Sequence, residues 1–455
     1  MPAGGRSSTR FFFTLLAAII SFASASAADI VRKQVTVGSA TWTYTIKSDG
    51  TTPTATLYRV DGAKGAITIP ATVTIDGTEY GVDGIDVEVD KIDGGVFMNN
   101  SDITSVTISE GITSIGGSAF YNCVSIKSIS LPSTLKSISN SAFQLCSGLT
   151  SLTIPEGVET IGASAFYQCN SLTTVSLPST LKTIGSNAFQ QDFKLKTVTI
   201  ASPSQLTDIG DYAFEQCNAL TSITIPASVS RIGQAAFQWC KGLTSLTIEE
   251  GTTVMTIENG AFRQCESLTS ITIPGRVETV CDEAFRYCKG ATSIIIKSGV
   301  KYIGANSFSQ SQISEIYIPG SVKTIGESAF ENSHSLNKVT LGDGVESVGD
   351  NAFVSHSTNL ELKCEGTTVI PTIGNGSFNN YGTVSVEVPA GYENQYSADK
   401  GWTGAIEVEQ PTSITDINAN DTPTVYYDLQ GHKLGSKPTK KGLYITNRRL
   451  TSFGK

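Results

Sequence analysis

Nine cysteines are the residues of this chain with the broadest chemistry, since a thiolate can attack a substrate, hold a metal or form a disulfide. Seven of them follow a phenylalanine by three residues: Cys123, Cys146, Cys169, Cys217, Cys240, Cys265 and Cys288. One cysteine in the same place of successive units predicts a ladder of buried, reduced thiols, because free cysteine packs as a small hydrophobe. Disulfides between adjacent units remain an alternative.

Other catalytic residue types are scarce. The histidines are His334, His356 and His432, and none lies near a serine or cysteine nucleophile motif. The sequence also lacks the zinc-protease, nucleophile-elbow and phosphate-binding-loop motifs, and no carboxylate pair has the polar support that a glycosidase needs. We therefore predict a protein that is not an enzyme, with no catalytic residues and no cofactor.

The densest acidic segment contains Asp83, Asp86, Glu88, Asp90 and Asp93. Three of these residues alternate, so they would share one face of a strand. Calcium takes several carboxylate oxygens, which makes it the one metal this segment suggests. A solvated strand face is the favoured interpretation, and no metal site is predicted.

A sequence repeat positions all of these residues. Thirteen phenylalanines mark it, most of them in an Ala-Phe step: Phe97, Phe120, Phe143, Phe166, Phe189, Phe214, Phe237, Phe262, Phe285, Phe308, Phe330, Phe353 and Phe378. Successive intervals are 22 to 25 residues, most often 23. This period predicts a solenoid, whose coils stack because a single coil cannot bury its own apolar face.

One unit, residues 149–171, shows how a coil is built. Residues 151–154 alternate between polar and apolar side chains, which predicts a half-buried strand. A second short extended piece ends at Gly162, where we expect a turn that needs a positive φ. Phe166 then enters the core. Glycine recurs at the same turn as Gly116, Gly185, Gly210, Gly233, Gly304, Gly326, Gly349 and Gly374.

The pattern LxxLxIPxxVxxIGxxAFxxC, which recurs over roughly residues 85–390, resembles the BspA-like leucine-rich repeats of bacterial surface proteins. The resemblance implies a repeat solenoid, predominantly β, in which about 13 coils of 23 residues form a right-handed curved array with β-rich caps. It also implies strands on the concave side. Family members are exported and often act in adhesion to host surfaces or other cells.

The N-terminus has the features of a signal peptide over residues 1–27. Arg6 and Arg10 precede an apolar run, and Ala25-Ser26-Ala27 is a small-residue cleavage motif. The apolar run is shorter than the roughly 20 residues of a membrane-spanning helix. A net charge of −9 argues against nucleic acid and anionic lipid as partners. We expect an exported, extracellular or outer-surface protein with no membrane-spanning segment after cleavage.

The remaining boundaries follow from changes in the pattern. Residues 28–84 lack the repeat and alternate as β-hairpins, which predicts an N-terminal cap. Residues 391–409 are expected to close the other end, with Trp402 buried, before a polar linker at 410–424. The segment 425–455 resembles the C-terminal sorting tails of the type IX secretion system, which would make the secretion machinery a partner. It departs from them at Asn447-Arg448-Arg449, and a small β-hairpin module is the alternative.

The outward strand positions form a ladder of serine and threonine. The pairs are Ser128/Ser130, Ser151/Thr153, Thr174/Ser176, Thr197/Thr199, Ser222/Thr224, Ser245/Thr247 and Ser270/Thr272. The ladder changes character at Glu315/Tyr317 and Lys338/Thr340. Inherited strand propensity accounts for the regular part, whereas aromatic residues are enriched in binding patches. The predicted ligand contacts are Glu315, Tyr317 and Lys338, with Trp239, Tyr287 and Tyr302 elsewhere on the coils.

The sequence as a whole predicts a secreted or cell-surface leucine-rich-repeat binding protein. Adhesion to host matrix proteins or other cells is the leading interpretation. A surface glycan-binding protein in nutrient capture and a structural surface spacer remain alternatives. The partner is expected to be an extracellular protein or glycan, because repeat positions specify the fold and only the deviations can specify a ligand.

Overall fold

The computed structural model of the protein describes residues 31–47, 52–86, 94–380, 382–397, 402, 426–427, 442–446 and 449–453. The predicted signal peptide and linker, and most of the sorting-tail-like segment, lie outside these residues. So do Glu88, Asp90 and Asp93 of the acidic segment.

Six strands form the N-terminal end: β1 (Val31–Val37), β2 (Ala40–Lys47), β3 (Thr54–Asp61), β4 (Gly65–Ile69), β5 (Thr72–Ile75) and β6 (Thr78–Ile85). β1, β2 and β3 pair antiparallel, as do β5 and β6. Trp42 of β2 meets the ring of Phe97 edge-on, with centroids 6.1 Å apart. These hairpins therefore cover the first phenylalanine of the repeat.

The later coils contribute two strands each, of which the first is the longer in most coils, and β31 ends the series. In chain order they are β7 (Ile103–Ile108), β8 (Ser114–Ile115), β9 (Ser128–Ser130), β10 (Ser137–Ile138), β11 (Ser151–Thr153), β12 (Thr160–Ile161), β13 (Thr174–Leu177), β14 (Thr183–Ile184), β15 (Thr197–Ile200), β16 (Asp208–Ile209), β17 (Ser222–Ile225), β18 (Arg231–Ile232), β19 (Ser245–Ile248), β20 (Met255–Ile257), β21 (Ser270–Ile273), β22 (Val277–Val280), β23 (Ser293–Ile296), β24 (Tyr302–Ile303), β25 (Glu315–Ile318), β26 (Thr324–Ile325), β27 (Lys338–Leu341), β28 (Ser347–Val348), β29 (Asn359–Cys364), β30 (Thr372–Ile373) and β31 (Thr383–Glu387).

The odd-numbered strands β7 to β31 form one side of the coils, here called the long-strand face. Where neighbours on it pair, they run parallel and in register, so that Ser151 lies opposite Thr174 and Leu152 opposite Val175. The even-numbered strands β8 to β30 form the short-strand face. The segments around each repeat phenylalanine form the third side, the turn face, where the Phe120 amide donates to the Ala142 carbonyl at 2.7 Å. The predicted β solenoid is confirmed.

A column of phenylalanine rings occupies the core between the three faces. From Phe97 to Phe378 the rings stack with centroids 4.8 to 5.4 Å apart and planes within 11° of parallel. Trp402 continues the column beyond Phe378 at 6.5 Å and is buried, as predicted. The spacing matches that of hydrogen-bonded strands, so backbone ladders and rings stack with one period.

The predicted ladder of buried thiols runs beside this column. Each of its seven thiols donates to the carbonyl of a phenylalanine in the preceding coil, as Cys146 Sγ does to the Phe120 oxygen at 3.2 Å. All nine cysteines are free. Burial raises the pKa of Cys123 to about 12, so the thiol stays protonated and unreactive.

The reason predicted for the recurring glycine is wrong. A Cβ added to Gly185 would lie 2.5 Å from the backbone nitrogen of Ala163 in the preceding coil, and φ there is not positive. Glycine is required because two backbones approach closely. Positive φ angles occur instead at non-glycine residues two before and two after the phenylalanine, such as Ser164 (55°) and Gln168 (59°).

The C-terminal end contains one helical turn and three further strands. They are α1 (Glu393–Ser397), β32 (Tyr426–Tyr427), β33 (Gly442–Thr446) and β34 (Arg449–Phe453). β34 pairs antiparallel with β31 and with β33. A short β-hairpin thus extends the long-strand face beyond its last coil. Among the described residues, no helix has the length and hydrophobicity needed to cross a bilayer.

Candidate binding surface

The outward side of the long-strand face is uniform from β9 to β21. Its two rows of exposed side chains are all serine or threonine. The strand register aligns these residues, with Thr174 against Thr197 and Ser222 against Ser245. Alternate residues point into the core, so each strand offers only these outward positions. This part of the surface consists of closely spaced hydroxyl groups without a large side chain.

The uniform surface ends at β23. Ile295 stands in register with Thr272 of β21, and its side chain is 52% exposed. Tyr317 holds the corresponding position on β25 and is also 52% exposed. Two large apolar side chains thus replace hydroxyls in adjacent coils. Isolated exposed apolar residues need no explanation, but two neighbours on an otherwise polar face are a candidate contact point.

Charged residues surround this pair on the following strands. Glu315 lies opposite Lys338, with Oε2 and Nζ 3.9 Å apart, and Lys338 lies opposite Glu361 on β29. Lys363 Nζ approaches Glu365 Oε1 at 3.1 Å. Because pairs this exposed contribute little to stability, their charges remain available to select a partner.

A groove of about 530 Å³ follows the same strands. It is lined by Ser293, Ile295, Glu315, Tyr317 and Lys338, among others. The Tyr317 hydroxyl donates to Glu365 Oε2 at 3.4 Å, which holds the ring beside the groove. Partial burial and the Glu365 carboxylate raise the pKa of Tyr317, so its hydroxyl remains a donor at neutral pH. We call this the Tyr317 groove.

The structure brings together only half of the residues predicted as ligand contacts. Glu315, Tyr317 and Lys338 line the Tyr317 groove. Trp239 and Tyr287 lie on the turn face, and Tyr302 lies on the short-strand face. The sequence analysis missed Ile295, although the run Ser293–Ile296 visibly breaks the hydroxyl alternation.

The turn face carries rows of amide side chains. Gln168 Nε2 donates to Gln191 Oε1 at 2.5 Å on the next coil, and Asn122 Nδ2 donates to Asn99 Oδ1 at 2.8 Å. Trp239 interrupts the same row, two residues after its phenylalanine. A groove of about 350 Å³ lies nearby, lined in part by Gln234, Gln238, Asn259, Arg263 and Asn306. Polar amides beside an aromatic ring suit hydroxyl-rich ligands.

The described residues show no arrangement of three or more histidine, cysteine, aspartate or glutamate side chains able to hold a metal ion. Asp86 belongs to them, but the other alternating acids of its segment do not. The calcium interpretation therefore stays an untested alternative.

The chain matches the BspA type leucine-rich repeat region. Six copies of the repeat match over residues 90–217, 207–337 and 255–385. These ranges together span more than half of the chain. No curated protein matches it.

Three solved bacterial structures resemble the chain. A leucine-rich cell surface protein from Faecalibacterium prausnitzii is 27% identical, covering 80% of this chain and 97% of its own, with a TM-score of 0.45. A leucine-rich repeat protein from Bacteroides ovatus is 24% identical over 74% of this chain and 94% of its own, with a TM-score of 0.42. The pneumococcal vaccine antigen PcpA is 17% identical over 83% and 99%, with a TM-score of 0.41.

Proposed function

The chain belongs to the family of BspA-type leucine-rich repeat proteins, and from this premise we propose that it adheres to a protein outside the cell through the Tyr317 groove. The partner is a host matrix protein or a protein on another cell. Export by the N-terminal signal peptide and the C-terminal tail places the chain at the outer surface in this proposal.

The observation that carries the proposal is the pair of exposed apolar side chains, Tyr317 and Ile295, within a groove bordered by charge. Protein interfaces concentrate binding energy in a few aromatic anchors that are surrounded by polar residues. The alternating acids and bases beyond the groove favour a partner with complementary charges over a neutral polymer. The hydroxyl rows from β9 to β21 offer neither feature.

The test is binding of the purified chain to an array of matrix proteins, mucins and polysaccharides. We expect saturable binding to a protein, weakened by about thirtyfold or more in Tyr317→Ser, since removal of a hot-spot aromatic costs about 2 kcal/mol or more. Tyr302→Ser is the matched control, because Tyr302 is similarly exposed on the short-strand face. Equal loss in both variants, or none in either, contradicts the groove as the site.

A glycan-binding function is the second candidate, and the turn face favours it. Trp239 stands in a row of amides and follows Gln238, which lines a polar groove, and aromatic rings with amides are suited to sugar faces and hydroxyls. On this alternative the array gives polysaccharide binding that Trp239→Ala removes and Tyr317→Ser leaves intact. An array without any saturable ligand would favour the structural spacer.

A further inference from the structure

Two of the three histidines of the chain meet on neighbouring coils. His356 occupies the place that cysteine holds in earlier coils, three residues after Phe353, and His334 lies four residues after Phe330. Their Nδ1 atoms are 2.6 Å apart, the ring centroids are 4.3 Å apart, and the planes are tilted by 38°. His334 is exposed, so the pair is open to solvent on one side.

Two facing Nδ1 atoms compete for one proton, because each is either a donor or an acceptor. A neutral imidazole has a lone pair, which is the form that binds metal ions. When the proton between the two Nδ1 atoms moves to Nε2 of its own ring, both Nδ1 lone pairs can bind a cation.

We propose that His334 and His356 together bind one divalent transition metal ion through their Nδ1 atoms, with Cu²⁺ or Ni²⁺ preferred to Zn²⁺. The distance between the two Nδ1 atoms supports this order of preference among metal ions. With metal–nitrogen bonds of about 2.0–2.1 Å, Nδ1 atoms 2.6 Å apart subtend about 80° at the metal. That is closer to the right angle of square-planar or octahedral ions than to the tetrahedral angle of zinc.

The remaining coordination positions face solvent. Since the described part of the chain holds no cluster of three or more metal-ligating side chains, the protein supplies two ligands and water completes the shell. The His334 ring is exposed and can change rotamer, so that its lone pair turns from His356 towards an ion that both rings share. A site of this kind binds reversibly and leaves positions for a donor from another molecule.

The experiment is calorimetric titration of the full chain, purified without a histidine tag, with Cu²⁺, Ni²⁺ and Zn²⁺. We expect a one-to-one phase that is weakened about tenfold or more by either His334→Gln or His356→Gln. His432→Gln, which removes the only other histidine, is the control and should leave that phase unchanged. A one-to-one phase that survives both substitutions, or its absence from the native chain, overturns the proposal.

Electron paramagnetic resonance of the Cu²⁺ complex of the native chain gives a second readout that needs no variant. Coupling to two imidazole nitrogens is expected, and coupling to one or none would overturn the site even if the variants were unstable. This inference is independent of the Tyr317 groove, since metal binding by the two histidines needs no partner protein.

Discussion

The long-strand face has two halves that differ on the outside and share one phenylalanine column on the inside. In the uniform half, from β9 to β21, every outward position carries serine or threonine, whereas in the diversified half, from β23 to β31, isoleucine, tyrosine, lysine and glutamate stand among the hydroxyls. Beneath them the ring column does not change: centroids are 5.1 Å apart between Phe237 and Phe262, and 5.1 Å between Phe330 and Phe353. The fold therefore constrains inward positions throughout and leaves outward positions free.

This difference distinguishes the outward residues that repeat duplication explains from those that it does not. Duplicated coils retain threonine and serine because these residues suit strands, so the uniform half needs no ligand to explain it. Strand propensity also favours isoleucine and tyrosine, but it does not explain why two large apolar side chains are 52% exposed in adjacent coils, where the preceding coils carry hydroxyls. The second half is where the function should lie.

The largest expected effect tests whether the two cores are equivalent. Phe237→Ala in the uniform half and Phe330→Ala in the diversified half each remove a ring stacked between two others, at 5.1 to 5.2 Å. Each should lower the free energy of unfolding by about 3–5 kcal/mol. Urea denaturation followed by circular dichroism measures both. Costs that differ by more than about 1 kcal/mol would contradict a shared core.

Most of this core could be predicted from sequence, because period and alternation are one-dimensional patterns. The interval between phenylalanines predicted the coil, and residues 151–154 predicted an inward and an outward side. The role of Gly185 could not be predicted in the same way, because the backbone that excludes its Cβ belongs to residues 162–163 of the preceding coil. Sequence patterns show which side chains of a coil point inward, whereas the space left for a side chain depends on how the neighbouring coil stacks.

The candidate site was predictable only in part for the same reason. Tyr317 and Lys338 are visible as breaks in a hydroxyl pattern, and register brings their strands together. Trp239 and Tyr302 are equally conspicuous in sequence, but the three-sided coil places them on different faces. Aromatic identity alone therefore does not show which residues form one surface.

The next effect concerns the boundary between the halves, where Arg276 crosses two coils. Its buried guanidinium donates to the carbonyls of Val229 at 2.6 Å, Glu249 at 2.6 Å and Pro226 at 3.0 Å. Arg276→Met should cost about 3 kcal/mol, because it leaves buried acceptors unpaired. Lys297→Met, at an exposed ion pair with Glu250, is the control and should change the free energy of unfolding by under about 1 kcal/mol. Similar changes in the free energy of unfolding for the two variants would contradict the role of Arg276 in joining its coil to the two coils before it.

A smaller effect is expected at Asp192, which replaces cysteine in the thiol ladder of the uniform half. The carboxyl is buried, neither oxygen has a partner, and burial raises its pKa well above the usual range. The protonated form is therefore favoured in the folded state. Its stabilising contribution is complete below the unfolded pKa of about 3.9 and is lost as pH rises through the folded pKa.

Asp192→Cys restores the ladder and removes this titration. We expect the variant to gain about 1–3 kcal/mol at neutral pH, because a thiol replaces an unpaired carboxyl. The gain should shrink as pH falls towards 4, where the native carboxyl is already protonated. Thermal denaturation of both proteins across this pH range measures the difference. A gain that is constant with pH would mean that Asp192 is not the titrating group.

The smallest effect is expected on the surface, and it decides whether the diversified half serves binding or folding. Tyr317→Ser and Ile295→Thr together give two coils the hydroxyl that Thr272 holds at the corresponding position of β21. Since both side chains are half exposed and the core contacts lie beneath them, the free energy of unfolding should change by no more than about 0.5 kcal/mol. Denaturation of the double variant beside the native chain gives this value. A decrease of more than about 2 kcal/mol in the free energy of unfolding would show that the two residues hold the coils together. The outward residues of the Tyr317 groove would then serve folding, as the inward residues do.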